Sequence, residues 1–170
     1  MSQASLNQPI AKGFEPPRAI QFSVFLDNRC GKLLELLKVF DGQALSLAAL
    51  SIVDSADHAV VRLVTSNSDL ARRLLLRNTF AFSESDVVIV EQRPGQTLSE
   101  ICRSLLAAEL NIHYVYPLIV QPHGHPSYAL NSDDQVMAGQ ILRRKLFHLL
   151  GENDLGDNAT GGDPFDTTEN

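Results

Sequence analysis

The stretch Ile20-Gln21-Phe22-Ser23-Val24-Phe25-Leu26, then Asp27-Asn28-Arg29-Cys30-Gly31, then Lys32-Leu33-Leu34-Glu35-Leu36-Leu37 decides how this chain is read. Ile20, Phe22, Val24 and Leu26 recur at every second position, the period of a strand with one buried face. The polar run that follows breaks it. Leu33, Leu36, Leu37 and Phe40 then share one helical face, with Lys32, Glu35, Lys38 and Asp41 off it, and Gly42 stops the helix. Working outward, Ala44 to Val53 is apolar and extended. Asp54-Ser55-Ala56-Asp57 turns, and His58 to Thr65 returns as the second arm of a hairpin. Ser68 is placed to cap a helix carrying Leu70, Leu74 and Leu75, with Arg72, Arg73 and Arg77 near the end that favours cations. Phe80 to Ser83 reads as a short strand.

The same order begins again. Val87 to Glu91 is a strand and Gln92-Arg93-Pro94-Gly95 breaks it. Thr97 and Glu100 stand at capping-box spacing before a helix with Leu98, Ile101, Cys102, Leu105 and Leu106 on one face. Asn111 to Val120 and His125 to Leu130 form a second hairpin around Gln121 to Gly124. Ser132 and Gln135 read as another capping box, opening a helix through Met137, Ile141 and Leu142, and Leu146 to Leu150 closes as a strand. With Gly31 set on Gly95, Asp27 falls on Glu91, Arg29 on Arg93 and Lys32 on Gln96. The expected fold is α+β: two ferredoxin-like βαββαβ repeats, each an antiparallel sheet with both helices on one face. The expected division is a flexible leader over 1–19, repeats over 20–85 and 86–150 joined near Ser85 and Asp86, and a disordered acidic tail over 151–170. The other face of each sheet must be covered or solvated, and the repeats are expected to pair within the chain, edge to edge into a continuous sheet.

Composition agrees with a single globular body. The chain has 170 residues, of which 44% are hydrophobic, and a net charge of −6. Glu152, Asp154, Asp157, Asp163, Asp166 and Glu169 all lie after residue 150, where no base occurs; without them acids and bases are equal in number. A neutral body carries no basic footprint for nucleic acid. No apolar run reaches the roughly 20 residues that span a bilayer. Cys30 and Cys102 stand alone, which argues against a CxxC site and for a reducing, cytoplasmic setting.

The strand, the turn Asp27 to Lys32 and the leucine helix resemble the start of an ACT domain. In the second copy Arg93-Pro94-Gly95 and Asn111-Ile112-His113-Tyr114 fit that family's glycine turn and following strand more closely. Leu50 to Asp57, continuing through Arg62-Leu63, resembles the first repeat of stand-alone tandem ACT proteins. Departures are Cys30 for the usual proline, Ser46 where Asn111 stands in the second copy, and Gln92 for the usual asparagine, so one site is expected to be degenerate. The resemblance implies a regulatory amino-acid binder without a catalytic domain. It also implies a small-molecule amino acid as ligand, a homodimer or a regulated metabolic enzyme as partner, and no cofactor. The implied ligand lies between repeats. Its carboxylate would meet the N–H groups after Gly31 or Gly95, with Asp27, Asn28, Arg29, Cys30, Ser46, Arg93, Pro94 and Asn111 around it. Leu33, Leu47 and Ile112 would contact its side chain, which suits a branched or small apolar amino acid.

Other residues read more plainly. His123-Gly124-His125, near His113, sits between Pro122 and Pro126, and a hairpin turn explains it without a metal, since no carboxylate or thiol stands nearby in sequence. Cys30 at a helix start has thiolate-stabilising surroundings but no sequence neighbour to complete a nucleophilic set. Cys102 reads as core, His58 and His148 as ordinary, and the arginine clusters as solvated helix ends. No phosphate loop, dinucleotide fingerprint or nucleophile elbow appears. A ligand-free pairing module, or a small enzyme using the same fold, remains the alternative to a binder.

Overall fold

The computed structural model describes residues 16–55 and 57–156. Its elements are β1 (Ala19–Asp27), α1 (Lys32–Lys38), β2 (Leu47–Asp54), β3 (His58–Thr65), α2 (Ser68–Arg77), β4 (Ala81–Glu91), α3 (Leu98–Leu106), β5 (Ile112–Pro117), β6 (Ser127–Ser132), α4 (Gln135–Arg144) and β7 (His148–Leu150), followed by a 3₁₀ turn, Glu152–Leu155. Strand, helix, strand, strand, helix, strand occurs twice, as the sequence indicates, but in seven strands and not eight.

The missing strand is shared. β4 is one eleven-residue strand that ends the first repeat and begins the second. Its residues 81–87 pair antiparallel with β1, 88–91 with β6, and 89–91 with β7. The junction expected near Ser85 and Asp86 therefore lies inside a strand. Both residues have cross-strand partners: Gln21 Nε2 donates to Ser85 Oγ, and Arg18 pairs with Asp86. Strand order is β2-β3-β1-β4 in the first repeat and β5-β6-β4-β7 in the second, the same arrangement twice.

Side chains alternate across each strand and so build three cores. Phe22, Val24 and Leu26 of β1 face α1 and α2, where they meet Leu36, Leu63 and Leu75. Val88 and Val90 of β4 face α3 and α4 with Ile101, Leu105 and Leu142. The opposite sheet faces cover one another. Ala19, Ala49, Val64, Val87, Ile89, Leu118, Ala129 and Leu150 pack there, and the small alanines let the two layers approach closely. The sheet curls until its edges meet: Ala49 bridges Leu118, and Ile119 N donates to Ala48 O at 2.8 Å. A polar seam crosses this third core. Fully buried Gln21 donates to Tyr114 Oη at 2.9 Å and accepts from Tyr116 Oη at 2.6 Å. Burial pushes the Tyr116 phenol above its ordinary range.

Two helix caps differ from expectation and a third is as expected. Asn67, not Ser68, caps α2, its side chain accepting from Leu70 N at 3.0 Å. Asp134 caps α4 in place of a Ser132/Gln135 box, its side chain accepting from Met137 N at 2.9 Å. The capping box of Thr97 and Glu100 is present. The leader and the tail lie largely outside the described residues, but their described parts are packed. Pro16 is buried, at 2.8 Å or less from where a Cβ on Gly139 would stand. Leu155 is 1% exposed in the inter-repeat core, and the Glu152 carboxylate accepts from Ser68 N at the start of α2. The acidic composition of the tail hid one apolar anchor and one helix-capping carboxylate.

Candidate functional site

The turn between β1 and α1 opens onto a cavity of about 280 Å³. Asp27, Asn28, Arg29, Lys32 and Asp54 supply its polar wall, and Leu26, Leu33, Ile52, Ala59 and Val61 its apolar one. The strand period puts Leu26 there, and the β2–β3 hairpin brings Asp54 alongside: Asn28 Nδ2 donates to Asp54 Oδ1 at 2.9 Å. Arg29 pairs with Asp27 at 2.5 Å and Lys32 with Glu35 at 2.7 Å. The hydrogen bond from Arg29 holds the Asp27 carboxyl below its usual range. These pairs lie at the surface, where solvent screening keeps them weak, so their members remain available to another charged partner.

Gly31 has φ +87° and stands at the N-cap of α1, which receives no side-chain cap. Gly95 has φ +82°. A Cβ at either position would meet nothing within 4 Å. Both glycines adopt the left-handed backbone that the turn needs. With only seven residues, α1 also has a short dipole.

The remaining residues of the candidate set are dispersed. Cys30 is exposed on the turn and does not line the cavity. Ser46 and Leu47 lie at the far end of the hairpin, where Ser46 N donates to Ser66 Oγ, eight residues of strand away from Asp54. Asn111 is tied to Asp133 through its backbone N–H at 3.1 Å, and Ile112 begins β5. Both line a broad groove with Leu98, Cys102 and Leu106, so Cys102 is half-buried and not core. The first-turn cavity is lined by first-repeat residues alone. Lys32, Ile52 and Asp54 were missed; the hairpin register that delivers the last two was their only signal.

The second turn is chemically different. Thr97 Oγ1 accepts from Glu100 N at 3.2 Å, and the Glu100 carboxylate accepts from Thr97 N at 2.8 Å. Gln96 N is taken by Arg93 O at 3.0 Å. Arg93 points back to the last residue of β4, its Nε donating to Glu91 Oε1 at 2.8 Å. A cavity of about 270 Å³ beside Gly95 is lined by Gln96, Glu100, Arg103, Ser104, Lys145 and Phe147, and Pro94 is outside it. Here also space supplies what sequence did not: the Glu91 carboxylate lies 2.6 Å from His123 Nδ1. His123 and His148 have no carboxylate neighbour in sequence, and the fold brings Glu91 to within 4.8 Å of each. His113 pairs instead with Asp133 at 2.9 Å.

A family model described as an ACT domain pair matches residues 18–158, and the chain belongs to that family. Protein BT0572 from Bacteroides thetaiotaomicron has a similar structure, with a TM-score of 0.72 and 29% identity over 82% of this chain and 96% of that one. The ligand-free regulatory subunit of aspartate kinase from Thermus thermophilus shares the fold at a TM-score of 0.50 and 8% identity, over 76% and 93% of the two chains. No curated protein matches. Among the described residues no helix is long and apolar enough to cross a membrane.

Proposed function

We propose that this chain is a regulatory protein that binds an α-amino acid at the first-repeat turn. The observation that carries the reading is the balance of the cavity wall: two carboxylates, Asp27 and Asp54, face two cations, Arg29 and Lys32, beside an apolar surface. A zwitterion with an apolar side chain needs that combination, and a volume of about 280 Å³ suits a small metabolite. Arg29 and Lys32 would take the carboxylate, Asp54 the ammonium, and Leu33, Ile52 and Val61 a branched or small apolar side chain. Because α1 and the β2–β3 hairpin both contribute, occupancy would stiffen the first repeat, and a second copy or a regulated enzyme would read that state. Couplings of this type are about 1–3 kcal/mol. The reading assigns the chain no reaction.

A thermal-shift screen of the twenty amino acids tests it. A ligand at 100 times its dissociation constant stabilises by about 2.7 kcal/mol. Calorimetry on the strongest hit should show affinity falling at least tenfold in Arg29→Ala/Lys32→Ala, since a hydrogen bond to a charged group contributes about 1.5–3 kcal/mol. Arg103→Ala, in the second-turn cavity, should leave affinity unchanged. Equal binding by the double variant, or no shift with any amino acid, overturns the reading and favours a ligand-free pairing module.

A further inference from the structure

Three parts of the second repeat converge on a constellation that amino-acid binding does not use. Glu91 is the last residue of β4, His123 lies in the β5–β6 loop, and His148 is the first residue of β7. One ligand atom from each lies within 4.8 Å of the other two. We propose that Glu91, His123 and His148 form a binding site for a divalent cation of the zinc type.

The Glu91 side chain is wholly buried. Its two oxygens have separate tasks: Arg93 Nε holds Oε1 at 2.8 Å, which leaves Oε2 facing His123 Nδ1 at 2.6 Å. A carboxylate oriented through its second oxygen is the usual support for a metal ligand. His148 is fixed by the backbone as the register partner of Glu91 in the β4–β7 ladder. Its imidazole stands edge-on to that of His123, with ring centroids 5.6 Å apart. Among the described residues the ring nitrogens of His148 make no hydrogen bond, so a structural ion pair around Glu91 accounts for Arg93 and His123 but leaves this second imidazole without a task.

Bonds of 2.0–2.2 Å in a tetrahedral shell place ligand atoms roughly 3.3 Å apart, a spacing these side chains reach by small rotations. Two imidazoles and one carboxylate are a borderline donor set. It suits zinc or cobalt over calcium or magnesium, which prefer all-oxygen shells. The half-exposed side of His123 leaves a fourth position open to water. A bound cation would tie the β5–β6 loop to the start of the Arg93-Pro94-Gly95 turn.

The test uses the full chain, stripped with a chelator and dialysed against zinc alone. The expected result is one zinc per chain, with affinity falling more than about 100-fold in His123→Ala and in His148→Ala. His113→Ala and His125→Ala should stay within about twofold of wild type, on the ligand assignment above. Cobalt should give the visible absorption of a tetrahedral site in wild type and lose it in His123→Ala. That variant alters an exposed loop residue, so loss of fold does not confuse the readout; unchanged far-ultraviolet circular dichroism checks it. Less than one zinc per chain at submillimolar metal, or binding that survives His123→Ala/His148→Ala, overturns the site.

Discussion

The two glycine turns occupy equivalent places in equivalent repeats, yet they differ in almost every chemical respect. The first is uncapped, lies at the surface, and combines both signs of charge with an apolar wall. The second caps its own helix through Thr97 and Glu100 and turns Arg93 inward onto a buried carboxylate. The pairing of Asp27 with Glu91 in the repeat alignment makes the point residue by residue. Asp27 is exposed beside Arg29, whereas Glu91 is buried among Arg93, His123 and the facing strands. The shared fold determines where a turn lies, and the few side chains around it determine what it can bind.

The comparison assumes two repeats in one cooperative body, and the largest expected effect tests that assumption. Leu155→Ala, at the inter-repeat core, should cost about 2–5 kcal/mol and lower a single melting transition. Two separate transitions in calorimetry would mean that the turns belong to independent units. Next in size is the contrast of caps. Thr97→Ala should cost about 1 kcal/mol by removing the α3 cap. No equivalent loss is available at the first turn, where Gly31→Ala instead costs about 1–2 kcal/mol through its left-handed backbone. Chemical denaturation measures both, and a Thr97→Ala protein as stable as wild type would remove the difference between the turns.

The smallest effect concerns how the first repeat is held to the shared strand. Arg72 donates to both oxygens of Glu84 at 2.6 and 2.8 Å, and that hydrogen bonding holds the Glu84 carboxyl below its ordinary value. A lowered carboxyl pKa contributes stability that is present above the unfolded value of about 4.3 and is lost as pH falls through the folded one. Glu84→Gln should therefore cost about 0.5–1 kcal/mol at pH 7, with the difference from wild type vanishing in acid. A difference that persists in acid would assign the loss to packing.

Much of the fold was legible because hydrophobic period is a local signal. The alternation in Ile20 to Leu26 and the Thr97/Glu100 box appear as read, while α1 keeps the apolar face of Leu33, Leu36 and Leu37 but ends at Lys38, short of Phe40 and the Gly42 stop. The sequence places the junction near Ser85 and Asp86, close to the change of partner between Val87 and Val88, but it does not show that one continuous strand crosses it, because only partners across the sheet make Ser85 and Asp86 strand. The sites divide on the same line. Asp27, Asn28, Arg29 and Leu33 are near in sequence and share the first cavity, while Asp54 reaches it through a hairpin. Ser46, Leu47, Asn111 and Ile112 were grouped by position within repeats, and their strands carry them elsewhere. Glu91 and His148 are 57 positions apart and meet through a ladder register that no local pattern encodes.

The single strand that runs through both repeats also acts mechanically. At about 3.3 Å per residue, its eleven residues make a beam of roughly 36 Å with no joint along it. The repeats therefore cannot swing about a linker in the manner of beads on a string. A disturbance near Ala81, beside the first turn, can travel to Glu91 only as torsion or slip of the beam, and slip by one residue would turn every core side chain outward. Torsion is the mode that remains. Any signal passing between the two halves is thus expected as a small, stiff, whole-body twist, and cutting the chain in two would leave one half without its edge and the other without its centre.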